Sequence, residues 1–297
     1  MIAASCSNES VNDVENAVEN VQVPVQVHVS DFSVSQEEFP GGSTRSGAAR
    51  GTTRAATNPA TYDGVKSLTL AFYAGDGTEA YKHEQVKCSL EDGETFGEFT
   101  LSLPMGSYTM VVLGYGKSED DDLVLTSPTQ AEYTGAHARE TFAAVQTVNI
   151  NSTNSVNLSA TLNRVIAKFH VLSSDGRAAN ATNVRMTFAA GGKSFNPTTG
   201  LAISNGGFSN TVVTSASAGS TSSSISYLFL ATDEQEVDVT IETQDADGNT
   251  LFSKTVPNVP FKRNRVTKLT GAMYTNNSVS GAFQVETAWE EQYDGTF

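Results

Sequence analysis

The sequence predicts an all-β protein organised as two domains, and three observations carry that expectation. Its 297 residues suffice for two domains at the usual ~150 residues each, long enough for a core in both. Apolar residues recur at period two in short runs punctuated by Gly, Pro, Asn and Asp. No run longer than about ten residues carries a convincing helical period; Glu15–Asn20 and Glu140–Ala144 are the two candidates for short helices.

Composition narrows the function classes. The chain has 33 acidic and 18 basic residues, net −15, which argues against an extended nucleic-acid surface; nucleic acid is not an expected partner. Its two cysteines, Cys6 and Cys88, are too few for a disulfide framework or a thiolate metal site. No stretch approaches the ~20 apolar residues of a membrane-spanning helix.

Taken in order, the chain opens on Met1-Ile-Ala-Ala-Ser-Cys6, which resembles the end of a bacterial lipoprotein signal, small residues leading to a cysteine that takes a lipid. It lacks the charged and apolar regions that precede such a site. Lipidation of Cys6 would anchor the chain to a membrane without a spanning helix. Val21-Gln-Val-Pro-Val-Gln-Val-His-Val29 follows, with Val21, Val23, Val25, Val27 and Val29 on one face of a strand. Pro24 cannot donate to a ladder, so this strand is expected at a sheet edge or paired on one side only. Next comes Gly41 to Ala56, built of small residues and carrying Arg45, Arg50 and Arg54. Such a stretch is a flexible linker, either a plain one or one that offers a trypsin-like protease three cleavage points.

Strands and turns occupy the rest. Leu68, Leu70 and Phe72 share a face, with a turn at Gly75-Asp-Gly77; Phe99, Leu101 and Leu103 share another. Pro104 and Gly106 turn the chain into an apolar run from Tyr108 to Leu113, of the fully buried type. Glu119–Asp122 reads as a solvated acidic loop. The Asn- and Ser-rich stretch 146–160 could carry the domain boundary, placed near residue 160. Beyond it, Val184, Met186 and Phe188 alternate, Tyr227–Leu230 is a buried-type run, and Val237, Val239 and Ile241 alternate again. Asp245-Ala-Asp-Gly-Asn249 then turns into a strand ending near Val256. Lys262, Arg263, Arg265 and Lys268 form the one dense basic cluster, read as a solvated strand face that could pair acids of a neighbouring subunit. In the last strand, Phe283, Val285, Thr287 and Trp289 share a face.

Catalytic motifs fail on inspection. The four histidines lack metal-binding spacing. No Gly-x-Ser-x-Gly elbow exists, and Gly192-Lys-Ser194 lacks the leading glycine and the helix of a phosphate loop. The Asp245 turn carries its glycine at the fourth position and Val256 where a calcium loop needs glutamate. The expectation is a non-enzyme with no metal and no cofactor.

A cysteine in a lipobox-like context, a first strand, a linker with Thr-Arg-Ala, β domains and a C-terminal strand together resemble the fimbrillin family, the type V pilus subunits of Bacteroidales. So do the runs Phe99-Thr-Leu-Ser-Leu-Pro-Met-Gly-Ser-Tyr108, Leu162-Asn-Arg-Val-Ile-Ala-Lys-Phe169 and Val259-Pro-Phe-Lys-Arg-Asn-Arg-Val-Thr-Lys-Leu-Thr-Gly271. The resemblance spans nearly the whole chain. It implies two tandem transthyretin-like Greek-key β-sandwiches: residues 1–54 as leader, first strand and cleavable linker, 55–160 as one domain, 161–297 as the other. It also implies export as a lipoprotein, an outer-membrane anchor at Cys6, and cleavage by an arginine-specific surface protease. Arg54 is the first choice for the cut, with Arg45 and Arg50 as alternatives. Cleavage would release the Val21–Val29 strand, and a neighbour's strand carrying Phe283, Val285, Thr287 and Trp289 would fill the groove. Such a head-to-tail contact does not close on itself and builds a filament. The alternatives are a non-polymerising anchor or tip subunit, or a surface lipoprotein that binds a glycan or host ligand.

Overall fold

The computed structural model describes residues 21–33, 56–57, 60–275 and 284–286. The described residues are all-β, with no helix among them. The first half contributes β1 (Gln22–Ser33), β2 (Ala56–Thr57), β3 (Ser67–Ala74), β4 (Glu79–Val86), β5 (Glu98–Pro104), β6 (Gly106–Tyr115), β7 (Leu123–Ser127), β8 (Gln130–Tyr133), β9 (Thr141–Ile150) and β10 (Val156–Arg164). The second half contributes β11 (Ala167–Ser173), β12 (Asn183–Phe188), β13 (Ser194–Asn196), β14 (Leu201–Ala202), β15 (Phe208–Val213), β16 (Ser223–Leu228), β17 (Glu234–Gln244), β18 (Thr250–Lys262), β19 (Val266–Gly271) and β20 (Gln284–Glu286).

The largest sheet runs β2-β1-β10-β9-β6-β3-β4, with β5 hydrogen-bonded to β1. Strands β9 and β10 pair only at Phe142–Arg164 and Ala143–Asn163, so the sheet turns a corner there. Its two arms, β5-β1-β10 and β4-β3-β6-β9, then close on a shared core. Leu68, Leu70 and Phe72 enter that core from β3, Met110 and Val112 from β6, and Leu101 and Leu103 from β5.

The apolar run of β6 is continuous because β3 and β6 are buried on both faces. Their far side carries Ala71, Tyr73, Val111 and Leu113 into a second core, together with Leu125 and Tyr133 of the β7–β8 hairpin. That core also takes Val165, Ile166, Phe195 and Phe229, and the sheet β14-β13-β8-β7 pairs strands of the two halves. The second half adds sheets β16-β11-β19-β20 and β15-β12-β17-β18 around a third core that includes Phe169, Phe188, Val239 and Leu269.

Several local expectations change. Glu140–Ala144 is not helical: Thr141–Ile150 pairs along its whole length with β6, and that ladder outweighs a weak local preference. Glu15–Asn20 lies outside the described residues. The strand expected to stop near Val256 continues to Lys262 across Pro257 and Pro260. It is an edge strand, where proline is tolerated, and Asn258 adopts φ 53° at a bulge held by its N–H donating to Asp238 (2.8 Å). Nor is the acidic run uniformly solvated, since the Asp121 carboxylate is 1% exposed beside His137 and Arg139. In the basic cluster, Arg265 is buried instead of lining a solvated face.

Candidate functional site

The residues with the clearest sequence signal are the valines of β1. Val23, Val25 and Val27 are fully buried and Val29 nearly so, while Gln22, Pro24, Gln26 and His28 face out and Val21 is exposed. The expected edge position is wrong. Over Val25–His28 the strand lies between β5, antiparallel, and β10, parallel. Pro24 is tolerated because it opposes Ser102 of β5 one residue before the β10 ladder begins at Val25.

Apolar residues face each other across both ladders. On one side Val23 opposes Leu103, Val25 opposes Leu101 and Val27 opposes Phe99. On the other, Val25 opposes Val156, Val27 opposes Leu158 and Val29 opposes Ala160. After Val29 the register shifts before resuming at Asp31 and Thr161. Val29 N–H donates to the Gly97 carbonyl (2.8 Å), and His28 Nδ1 contacts Glu98 Oε1 on the outer face. The walls of this site were only half foreseen. The alternation of β5 was legible, but that of Val156, Leu158, Ala160 and Leu162 was hidden by intervening Asn, Ser and Thr.

The arrangement makes β1 a keystone. Among the described residues it is the only ladder partner of β5 and β2, and the only one for β10 from Val156 to Leu162. Burying its four inward valines contributes up to about 6–12 kcal/mol at ~1.5–3 per side chain. With β1 gone, β5 and β10 would border a slot about two strand spacings wide, ~9–10 Å, lined by alternating apolar residues. One tether holds the β5 wall independently of β1. The buried Gln85 of β4 accepts from Gly97 N–H (2.9 Å) and donates to the Glu98 carbonyl (2.8 Å), an amide standing in for a ladder partner.

Of the other predicted sites, Val285 lies in β20, where Gln284–Glu286 pairs antiparallel with β19 of the same chain. Cys6, Arg45, Arg50, Arg54, Phe283, Thr287 and Trp289 lie outside the described residues. A feature that sequence reading missed is Asp175. Its carboxylate accepts from the N–H groups of Met273 (2.8 Å), Tyr274 (3.0 Å) and Thr275 (2.9 Å) and from the Thr275 hydroxyl (3.0 Å). Burial would raise its pKa, but those donors outweigh it and hold the carboxyl below its ordinary value. Chain departure toward β20 is thereby fixed.

A family model described as a family of unknown function, DUF6562, matches residues 24–296. The chain belongs to the DUF6562 family. No curated protein matches this DUF6562 chain. Among solved structures it is similar to one described as a candidate adhesin of Bacteroides ovatus (12% identity, 92% of this chain and 97% of that one, TM-score 0.52). It is similar to another so described from Bacteroides thetaiotaomicron (11% identity, 90% and 97%, TM-score 0.51). The fimbrial anchor protein Mfa2 of Porphyromonas gingivalis is also similar (14% identity, 89% and 95%, TM-score 0.48). At these identities the likeness to the two Bacteroides structures is one of fold.

Proposed function

We propose that this DUF6562 chain is a structural, non-enzymatic subunit of a cell-surface fimbria that assembles by β-strand exchange and supports adhesion. Cleavage in the arginine linker, after Arg54 or alternatively Arg45 or Arg50, releases β1. The C-terminal segment carrying Phe283, Val285, Thr287 and Trp289 of another subunit then occupies the slot between β5 and β10. Lipid at Cys6 holds the uncleaved chain at the outer membrane during export. The two halves are read as tandem transthyretin-like Greek-key sandwiches, dividing near residue 160.

The observation that carries this reading is the keystone position of β1. A strand that alone joins two others, with alternating valines inward, leaves on departure a groove suited to another alternating strand. In such a groove main-chain bonds supply affinity and side-chain pockets supply register. The fold shared with two proteins described as candidate adhesins supports a surface role.

The test is N-terminal sequencing of surface-exposed protein before and after a trypsin-like protease, with gels of unboiled samples. A new terminus within residues 46–55 together with detergent-resistant multimers is expected. Truncation before Val279 should abolish the multimers. An intact terminus and monomers alone would overturn the polymerising role and leave the anchor or ligand-binding alternative.

A further inference from the structure

The two ends of β1 are held unequally. At its start, Gln22–Pro24 has one ladder partner among the described residues. Gln22 opposes Pro104, Val23 opposes Leu103 and Pro24 opposes Ser102 of β5, whereas the ladder to β10 begins at Val25. The direction of the amides sharpens the difference. Val29 N–H points to β5, where it donates to the Gly97 carbonyl, so alternation turns the amides of Val27, Val25 and Val23 the same way. The even positions then face β10, and Pro24 is an even position with no N–H to offer it. The first three residues of β1 are thus tied by main-chain bonds between Val23 and Leu103 and by burial of the Val23 side chain.

The other end is held from more sides. Asp31–Ser33 opposes Thr161–Asn163 of β10, and Phe32 and Ser33 also oppose Thr57 and Ala56 of β2. At the register shift the Ser30 hydroxyl donates to the Ala160 carbonyl (3.4 Å) and accepts from the Ser159 hydroxyl (3.3 Å). The arginine linker runs from Ser33 to Ala56, so the two residues that it joins are paired with each other. A cut anywhere between them leaves that pairing, both long ladders and the four inward valines intact.

We propose that cutting the linker unties β1 without unseating it, and that β1 then opens from Gln22 toward Ser33. The mouth bounded by Ser102–Pro104 of β5 and Val156 of β10 is the entry point for an extended strand with alternating apolar residues from a second copy. That role rests on the strand-exchange reading; the order of opening does not. Each pair that opens at this end bares one more stretch of strand edge, which an incoming strand takes up before the next pair breaks. Entry from the Ser33 end would have to break the β2 and β10 ladders together before any groove is bared.

Two measurements test the proposal. In the uncut full chain, residue-resolved amide exchange should be fastest at Val23 and Leu103 and slower at Val25 and Leu101. At Val27 and Phe99 it should be at least about tenfold slower than at the Gln22 end. In chain cut in the linker by a trypsin-like protease, β1 should stay bound through gel filtration. It should leave when a synthetic peptide of residues 21–33 is added in excess, with departure followed by mass spectrometry. Val23→Thr puts a hydroxyl into the apolar slot at the opening end and should speed departure about tenfold. Val29→Thr makes the same change at the far end, still seated when the barrier is crossed, and should leave departure within about twofold while slowing rebinding. Both variants should keep wild-type exchange in β12 and β17, which separates opening of β1 from global unfolding. Flat or reversed exchange along β1, loss of β1 on cutting without added peptide, or faster departure in Val29→Thr than in Val23→Thr would overturn the proposal. Ordered opening in a cut chain that forms no multimers would count against strand exchange and leave the order of opening standing. Multimers formed with the reversed order would overturn the order and leave strand exchange standing.

Discussion

Arg164 shows how much of this protein rests on one buried charge. Its side chain is 1% exposed, and its guanidinium donates to Glu140 (2.7 Å), the Tyr62 hydroxyl (3.0 Å) and Asn264 Oδ1 (2.9 Å) while stacking over Phe142 at 4.8 Å. Tyr62 in turn donates to Glu140 (2.7 Å); burial, then the Glu140 charge, raises its pKa. Replacing Arg164 with Met strands the Glu140 carboxylate and should cost about 3–5 kcal/mol in denaturant unfolding. Arg164→Met with Glu140→Gln should recover most of that loss, because no buried charge remains unpaired; additive losses would refute the coupling. Asp121 makes the corresponding pH argument. Burial raises its pKa, but the His137 N–H groups and Arg139 outweigh burial and hold it below the ordinary carboxylate value. A depressed folded-state pKa means that its stabilisation is complete above the unfolded value of about 4 and is lost as pH falls through the folded one. Urea midpoints measured from pH 7 down to 3 should therefore fall less steeply in Asp121→Asn, which starts from a lower midpoint at pH 7. From sequence, Asp121 looked like one of four solvated acids; its partners lie 16 and 18 residues away, beyond any local pattern.

Among the elements, the valine face of β1, the faces of β3, β5 and β12, and the Asp245 turn were legible, because each is set by alternation or by turn chemistry within a few residues. What was not legible is adjacency. Pro24 argued for an edge, yet it costs the parallel ladder nothing, because that ladder begins one residue later. The Asn and Ser of 146–160 are divided between outward positions of β9 and β10 (Asn149, Asn157, Ser159) and the turn that joins the two strands. Nothing local announced that Gln85 of β4 would brace β5. That brace matters chiefly when β1 is absent. Gln85→Ala should cost the intact chain about 1–3 kcal/mol, the penalty of leaving buried backbone groups unpaired. Once the linker is cut and β1 removed, amide exchange across Phe99–Leu103 should rise well above that of cut wild type. Equal exchange in the two cut proteins would show that β5 is held by other means.

For the whole molecule, the decisive feature is that the two halves share structure. Phe195 and Phe229 of the second half stack at 4.2 Å, and Tyr133 of the first half lies against Phe229 at 6.5 Å. The pairing of β13 with β8 crosses the junction, as do Lys193 Nζ donating to the Gly135 carbonyl (2.5 Å) and the contact of His137 Nε2 with the Thr211 carbonyl (3.0 Å). His137 faces Asp121 at Nδ1 and the Thr211 carbonyl at Nε2, so one ring touches both halves. The length suffices for a core in each of two domains, and the shared core adds a term that neither half can satisfy separately. Scanning calorimetry of the full chain should therefore show one unfolding transition. Phe195→Ala should cost about 3–5 kcal/mol, and the loss should appear in exchange from β6 of the first half as well as from β12 of the second. Residues 161–297 expressed alone should bind hydrophobic dye and lack a cooperative transition, since Phe195 and Phe229 would lose the β7–β8 hairpin that covers them. Two resolved transitions in the wild type, or a stably folded isolated second half, would show that the junction joins domains without coupling them.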